Sequence, residues 1–261
     1  MKPEETKLYT SPATYFSGPD GMRNEVTMWY VACGLLAQES ARTQGFRPFG
    51  GLGENAKKQV NDARFDLLDV CSGPGNFSIH LSYVQPNIQV TCVDANSKFV
   101  DAGKKLRPPW TWVHSDVVQM DLSRKFDIIA ASSAYHHIEH ERKLSFLKNC
   151  KKHLKPDGMM LVCENFLPEY ATESERTQSI EVYYSELINY YRKGNATDES
   201  IESIHEVYEL EKSGIEEMKT SFKVFEDLAM QAGFRIEEDI IVWQSSALKG
   251  SNAGSHVLIL R

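Results

Sequence analysis

The segment LLDVCSGPGNFS, residues 67–78, places an acid and a Gly-Pro-Gly turn directly after an apolar run. Strands that end in glycine turns commonly hold a nucleotide. Ser78 stands where a dinucleotide-binding loop has its third glycine, and no Gly-Lys-Ser/Thr of a Walker loop follows. Asp69, at the strand end, would repel a diphosphate and attract an ammonium group. We therefore expect a ligand that joins a nucleoside to an amino acid.

Polar residues at the ends of two later apolar runs are the candidates for the catalytic groups. Tyr135, His136 and His137 come shortly after FDIIAAS, and Glu164 lies near the end of GMMLVCENF. A histidine can act as a base near neutral pH. These four residues are therefore the predicted catalytic groups. A metal ion on His136, His137 and His140 would lack a carboxylate or cysteine framework spaced around it, so we predict no metal site.

The elements that must position these residues alternate between strand and helix patterns. Five strands are predicted, at 65–70, 88–94, 110–116, 126–132 and 158–166. Helices are predicted at 77–84, at 97–106 and from about 139 to 154. This alternation indicates an α/β fold, with a mostly parallel sheet, helices on both faces and a ligand outside the carboxyl ends of the strands. After a helix at 222–233, the runs 235–243 and 255–260 predict an antiparallel hairpin that completes seven strands.

Two helical segments lie outside this core, which covers 63–167 and 220–261. Residues 1–62 predict an N-terminal lid, and residues 168–219 predict an insertion that covers the substrate site. The insertion carries 13 acidic against 5 basic residues. Both segments are rich in aromatic residues, which could bind a cationic amine. The predicted substrate-binding residues are Tyr15, Trp29, Tyr183, Tyr184 and Tyr191.

Five motifs in the expected order resemble those of class I S-adenosylmethionine-dependent methyltransferases of the Rossmann-like fold. They are DVCSGPGN, VTCVDAN, HSDVVQMDL, FDIIAASSAYHHI and LKPDGMMLVCEN. Cys71 replaces the first glycine of the family's turn. The resemblance implies S-adenosylmethionine as cofactor, with Asp94 on the ribose hydroxyls and Asp116 and Val117 at the adenine edge. The full implied cofactor set is Asp69, Cys71, Ser72, Gly73, Gly75, Asn76, Asp94, Ala95, Asp116, Val117, Ala131 and Ser132.

The composition of the chain limits the binding partners and the cellular compartment that we expect. The net charge of −7 speaks against duplex nucleic acid, and no apolar run is long enough to cross a membrane. Five scattered cysteines without a CxxC pair indicate reduced thiols, so we expect a cytoplasmic protein. Apolar residues of the insertion could serve a homodimer.

The predicted function is methyl transfer to a nitrogen or oxygen of a small molecule. The insertion also loosely resembles the lid of carboxy-S-adenosylmethionine synthases that act in tRNA modification, which leaves non-methyl chemistry open. A non-catalytic nucleotide-binding protein is the rival of another class. An NAD-dependent oxidoreductase ranks third, because Ser78 and the terminal hairpin both count against it.

Overall fold

The computed structural model describes residues 23–43 and 64–261, with the side chains of 25–40 in the first range. Most of the predicted lid at 1–62, including Tyr15, lies outside the described residues.

Seven strands form one sheet in the order β3-β2-β1-β4-β5-β7-β6. Their bounds are β1 Phe65–Val70, β2 Ile88–Asp94, β3 Thr111–His114, β4 Phe126–Ser132, β5 Leu154–Phe166, β6 Ile236–Trp243 and β7 Gly254–Leu260.

The pairing confirms a Rossmann-like sheet with an antiparallel hairpin at its end. Strands β1 to β5 pair in parallel, whereas β7 runs antiparallel to both β5 and β6. Asp69 pairs in register with Cys92 of β2 and Ala130 of β4. The carboxyl ends of β1, β2 and β4 therefore meet at one edge of the sheet.

Within residues 23–43 and 64–261, seven helices surround the sheet. They are α1 Arg23–Thr43, α2 Asn76–Val84, α3 Ser97–Leu106, α4 Lys143–His153, α5 Glu173–Lys193, α6 Asp198–Ser213 and α7 Phe222–Gln231. One face of the sheet packs against α4 and α7 through residues such as Phe146 and Phe225, which are fully buried. The other face packs against α1 and α2, where Met28, Leu36 and Leu81 are buried. Among the described residues, no helix is both long and apolar enough to cross a membrane.

The chain between β4 and β5 differs from the sequence prediction. Two short 3-10 turns, Tyr135–His137 and His140–Arg142, precede α4, so the helix begins at Lys143 and not near Glu139. Glu139 has an extended backbone, with φ −53° and ψ 142°, which interrupts any helix there. Buried Lys143 holds the first turn in place, because its Nζ donates a 2.6 Å hydrogen bond to the Tyr135 carbonyl.

The insertion packs around a separate hydrophobic cluster, to which Trp243 of β6 and Leu248 after it also contribute. Helices α5 and α6 pack against each other around buried Ile180, Ile188 and Ile204. Thr172 begins α5 with a capping box, in which it exchanges hydrogen bonds with Glu175. The β3 and β5 predictions differ from the structure at their ends: β3 is shorter than expected, and β5 begins four residues earlier.

Candidate functional site

The turn after β1 has the left-handed backbone that its glycines permit. Cys71, Gly73 and Gly75 have φ values of 51°, 52° and 87°. Glycine adopts this region without the steric penalty of a Cβ, whereas a residue such as Cys71 is uncommon there. A Cβ at Gly75 would also lie 2.9 Å from the Trp112 ring. The Ser72 amide donates to the Val93 carbonyl at 3.1 Å, which joins the turn to β2.

Asp94 connects the glycine turn to the end of β2. Its Oδ2 accepts a 2.8 Å hydrogen bond from the Gly73 amide, and its Oδ1 accepts a 2.7 Å bond from the Asn96 amide. Burial raises the pKa of Asp94, although these two amides act in the opposite direction. Each carboxylate oxygen has more than one acceptor lone pair, so the residue can also receive hydroxyl groups of a ligand.

Asp69 lies beneath the turn and is 2% exposed. The Ser78 hydroxyl donates a 2.6 Å hydrogen bond to its Oδ2. Burial raises the pKa of Asp69 to about 7. In the sequence, Ser78 was notable only because it stands in place of a third glycine. In the structure it is the hydrogen-bond donor to Asp69. Its position in the first turn of α2 was visible, but the direction of its side chain was not.

The predicted adenine-edge residues lie after β3. Asp116 contacts the Arg142 guanidinium, and its Oδ1 accepts a 2.8 Å hydrogen bond from the Val118 amide. Val117 is buried, and its carbonyl accepts a 2.7 Å bond from Asn149 Nδ2. The Asp116 carboxylate therefore already has a cationic partner on the surface.

Helix α1 reaches the carboxyl end of β4 through two side chains. Trp29 Nε1 donates a 2.7 Å hydrogen bond to Ser132 Oγ, and Ser133 Oγ donates a 2.9 Å bond to Glu25 Oε1. Glu25 is 6% exposed, and burial raises its pKa to about 7. Sequence reasoning missed Glu25. The available signal was an acid one helical turn before Trp29, on the same apolar face.

These residues line a small cavity at the carboxyl edge of the sheet. Its volume is about 10 Å³, which is room for roughly one water molecule. The lining residues are Glu25, Trp29, Asp69, Cys71, Ser72, Phe77 and Ser132. Glu25 and Trp29 of α1 form part of this lining.

The first predicted histidine lies between two carboxylates. His136 Nδ1 is 2.6 Å from Glu164 Oε1, and the His136 amide donates to Glu164 Oε2 at 3.3 Å. His136 Nε2 is 3.7 Å from Oε2 of Glu217. Both His136 and Glu164 are almost completely buried. Sequence reasoning paired His136 with no particular acid, because Glu164 and Glu217 are 28 and 81 residues away in the chain.

His137 and Tyr135 have different surroundings. His137 Nδ1 is 2.8 Å from the Glu216 carbonyl and 4.0 Å from Glu217 Oε1. Burial, together with His136, lowers the pKa of His137 to about 4, so its imidazole is neutral at pH 7. Tyr135 is 1% exposed, and its ring packs edge-on against Phe225. Burial raises the pKa of its hydroxyl.

A buried ionic network continues from this turn into the insertion. Lys219 contacts Glu217, and its Nζ is 3.5 Å from Glu211 Oε2. Arg176 NH2 donates a 2.6 Å bond to the other oxygen of Glu211. Lys219 Nζ also donates to the Tyr184 hydroxyl at 3.1 Å.

The predicted substrate-binding tyrosines lie inside the insertion. Tyr183, Tyr184 and Tyr191 are 1%, 2% and 3% exposed. The Tyr183 ring packs edge-on against Trp243, with ring centroids 5.9 Å apart. Trp29, by contrast, lines the cavity at the carboxyl edge.

Residues 67–158 match the family described as a methyltransferase domain. Residues 67–158 therefore carry the sequence pattern of a methyltransferase domain. The matched residues include the glycine turn, Asp94, Asp116 and both histidines, while Glu25 and Glu217 lie outside them.

Two curated methyltransferases resemble this domain. A demethylmenaquinone methyltransferase of Chlamydia muridarum is 34% identical over 102 residues, which are 38% of this chain and 43% of that protein. The protein of the same name from Chlamydia caviae is 29% identical over 100 residues, with the same shares. The match thus spans less than half the length of these curated relatives.

Solved structures agree on the fold. A S-adenosylmethionine-dependent methyltransferase from Clostridium acetobutylicum is 13% identical with a TM-score of 0.50, over 79% of this chain and 88% of that one. PKMT2 from Rickettsia typhi, in complex with AdoHcy, is 17% identical with a TM-score of 0.52, over 75% of this chain and 48% of that one. These likenesses show that the described residues have the class I methyltransferase fold.

Proposed function

We propose that this protein transfers a methyl group from S-adenosylmethionine to a small-molecule acceptor. The observation that carries the proposal is the contact between Asp94 and the Gly73 amide, which joins the glycine turn to an acid on the neighbouring strand. The two buried acids of the site suit the polar groups of the cofactor. Asp94 offers two acceptor oxygens for a vicinal diol, and Asp69 offers a buried carboxyl group for an ammonium group.

The proposed cofactor residues lie at or after the carboxyl ends of four strands. The turn after β1 supplies Asp69, Cys71, Ser72, Gly73, Gly75 and Asn76. The end of β2 supplies Asp94 and Ala95, the loop after β3 supplies Asp116 and Val117, and β4 supplies Ala131 and Ser132. When bound, the cofactor supplies a methyl group on a sulfonium, which is already activated toward a nucleophile. The protein then has to align the acceptor and accept its proton.

We infer that Glu25 accepts this proton. A general base works best when its pKa lies near the operating pH, and the pKa of Glu25 is raised to about 7 by burial. Ser133 orients the carboxylate through its 2.9 Å hydrogen bond to Oε1. Glu25 also lines the cavity beside the glycine turn. His136 on Glu164 is the alternative base, and Tyr135 and His137 stay predicted catalytic residues.

The proposed base suits acceptors that lose a proton when they are methylated. A phenol hydroxyl, a protonated amine or an acidic C–H must each lose a proton during methylation. The proposed acceptor is a small molecule that reacts at nitrogen or oxygen and is covered by α1 and the insertion. Trp29 is the predicted aromatic contact in α1, and Tyr183, Tyr184 and Tyr191 are those in the insertion.

A second candidate is methylation at ring carbon. It is favoured by the 34% identity to a demethylmenaquinone methyltransferase over 102 residues. Carbon methylation of a quinol-like ring also needs a base, so Glu25 would have the same role in both cases.

The test is a product assay on the full chain with methyl-labelled S-adenosylmethionine. Demethylmenaquinone, simple phenols and amines serve as acceptors, and mass spectrometry measures gain of the labelled methyl group. We expect Glu25→Gln to remove the limb of the kcat/KM–pH profile that rises through about pH 7. Exposed Glu141→Gln is the matched control. The same profile in both variants would assign the base to another residue, with His136→Asn as the next variant.

The same assay separates the rival functions. A carboxylated cofactor, formed in a parallel reaction supplied with an organic acid as carboxyl donor, would indicate carboxy-S-adenosylmethionine synthesis. Cofactor binding without turnover of any acceptor would favour a binding protein.

A further inference from the structure

A cluster of three donor groups lies where the first 3-10 turn after β4 meets the segment that follows α6. One ring nitrogen each of His136 and His137 and a carboxylate oxygen of Glu217 all lie within 4.8 Å of one another. His136 Nε2 is 3.7 Å from Glu217 Oε2, which is longer than a hydrogen bond. Ligand atoms of a tetrahedral zinc ion lie about 3.4 Å apart. The spacing is therefore close to that of a metal-binding set.

The outer partners of both histidines fit metal ligation. His136 Nδ1 lies 2.6 Å from the Glu164 carboxylate, and His137 Nδ1 lies 2.8 Å from the Glu216 carbonyl. Each acceptor places the imidazole proton on Nδ1 and the lone pair on Nε2. Metal-binding histidines characteristically donate their second N–H to a carboxylate or a backbone carbonyl, which orients the ring.

The third donor is held in place from a distant part of the chain. The Met218 amide donates a 2.8 Å hydrogen bond to the His136 carbonyl, so the segment carrying Glu217 is fixed on the histidine turn. Lys219 contacts Glu217 through Oε2, which is also the oxygen 3.7 Å from His136 Nε2, whereas Oε1 lies 4.0 Å from His137 Nδ1. Each carboxylate oxygen has more than one acceptor lone pair, so Glu217 can ligate an ion while it accepts from Lys219.

We propose that His136, His137 and Glu217 bind a divalent transition-metal ion, of which zinc is the best probe. Two imidazoles and one carboxylate form a ligand set that zinc accepts, and that iron(II) also accepts. Such a set leaves at least one position for water or another ligand. The ion would join the methyltransferase domain to the insertion, because the histidines follow β4 and Glu217 follows α6.

The test uses the full chain, stripped of metal by a chelator. Zinc binding is measured by equilibrium dialysis with elemental analysis, and cobalt(II) is used for its ligand-field spectrum. We expect one zinc ion per chain, a melting temperature raised by roughly 5 °C at saturating zinc, and an X-ray absorption spectrum with two imidazoles. His137→Asn should abolish binding. Glu164→Gln, which changes only an outer partner, should weaken zinc by about 10–100-fold.

The control is His205→Asn, which removes an exposed histidine of α6 and should leave zinc affinity unchanged. Equal zinc affinity in wild type and His137→Asn would show adventitious surface binding and overturn the proposal. Absence of a cobalt spectrum in the wild-type chain would also overturn it, and would mean that the cluster is held by ion pairs alone. If a variant does not fold, the wild-type absorption spectrum still decides the ligand set. S-adenosylhomocysteine binding by the metal-free chain is measured in parallel, so failure of the metal site is distinguishable from failure of the proposed function.

Discussion

Replacing Asp69 by asparagine should stabilise the protein in alkaline solution, even though the residue belongs to the proposed cofactor site. Asp69 is 2% exposed and accepts a hydrogen bond from Ser78. Burial raises the pKa of Asp69 to about 7 from the model-compound value of 3.8. Between these two pH values the folded state binds more protons than the unfolded state. The contribution of Asp69 to the free energy of unfolding therefore falls as pH rises and becomes constant above about pH 7.

The size of the effect follows from the pKa difference. About three pKa units at 1.36 kcal/mol each give a cost of about 4 kcal/mol for the ionised carboxylate at pH 8. At pH 5 the same calculation gives about 1.7 kcal/mol. Asparagine keeps an oxygen that can accept from Ser78 and has no charge. Its buried amide N–H groups offset part of the gain, by about 1–3 kcal/mol, at every pH.

The assay is urea unfolding of wild type and Asp69→Asn at pH 5 and pH 8, without cofactor. The free energy of unfolding of Asp69→Asn, relative to that of the wild type, should be about 2.6 kcal/mol higher at pH 8 than at pH 5. Exposed Asp157→Asn is the control and should show no such change. The same difference at both pH values would mean that Asp69 ionises normally, and the account of the buried acid would fail. The variant should also bind S-adenosylhomocysteine more weakly, because it lacks the charge that attracts an ammonium group.

Two further predictions concern the packing around the site. Gly103→Ala should destabilise the protein by about 1–3 kcal/mol in urea unfolding, because a Cβ there would overlap the Trp112 ring. Gly34→Ala is the control and should have no such cost, because no atom of the described part of the chain lies within 4 Å of the added Cβ. Trp29→Phe removes the hydrogen bond to Ser132 and should cost about 1 kcal/mol, while easing entry to the cavity beneath α1. Calorimetry should then give tighter S-adenosylhomocysteine binding in Trp29→Phe; unchanged affinity would argue that α1 does not limit access.

Local pattern was enough to predict the sheet. Apolar runs ending in Asp69 and Asp94 were assigned to parallel strands, and the register confirms that these strands are neighbours. The hairpin from β6 to β7 was likewise predicted from two strand patterns with no helix between them. The start of α4 was wrong, because the Lys143 contact with the Tyr135 carbonyl depends on packing between two turns and not on helical periodicity.

The partners of the site residues could not be predicted from one sequence. Ser78 faces Asp69 across a turn, and Glu25 reaches Ser133 from 108 residues away. Glu217 comes to the histidines only because the segment after α6 docks on the turn after β4. A single sequence identifies strand ends and residue types, whereas side-chain partners depend on how distant elements pack.

The central claim is that the glycine turn and Asp94 hold S-adenosylmethionine. Isothermal titration of the full chain with S-adenosylmethionine, S-adenosylhomocysteine and NAD tests it most directly, with Asp94→Ala measured alongside and exposed Asp101→Ala as control. The account predicts binding of the first two ligands, no binding of NAD, and loss of affinity only in Asp94→Ala. Binding of NAD alone, or an Asp94→Ala variant with wild-type affinity for S-adenosylhomocysteine, would contradict it.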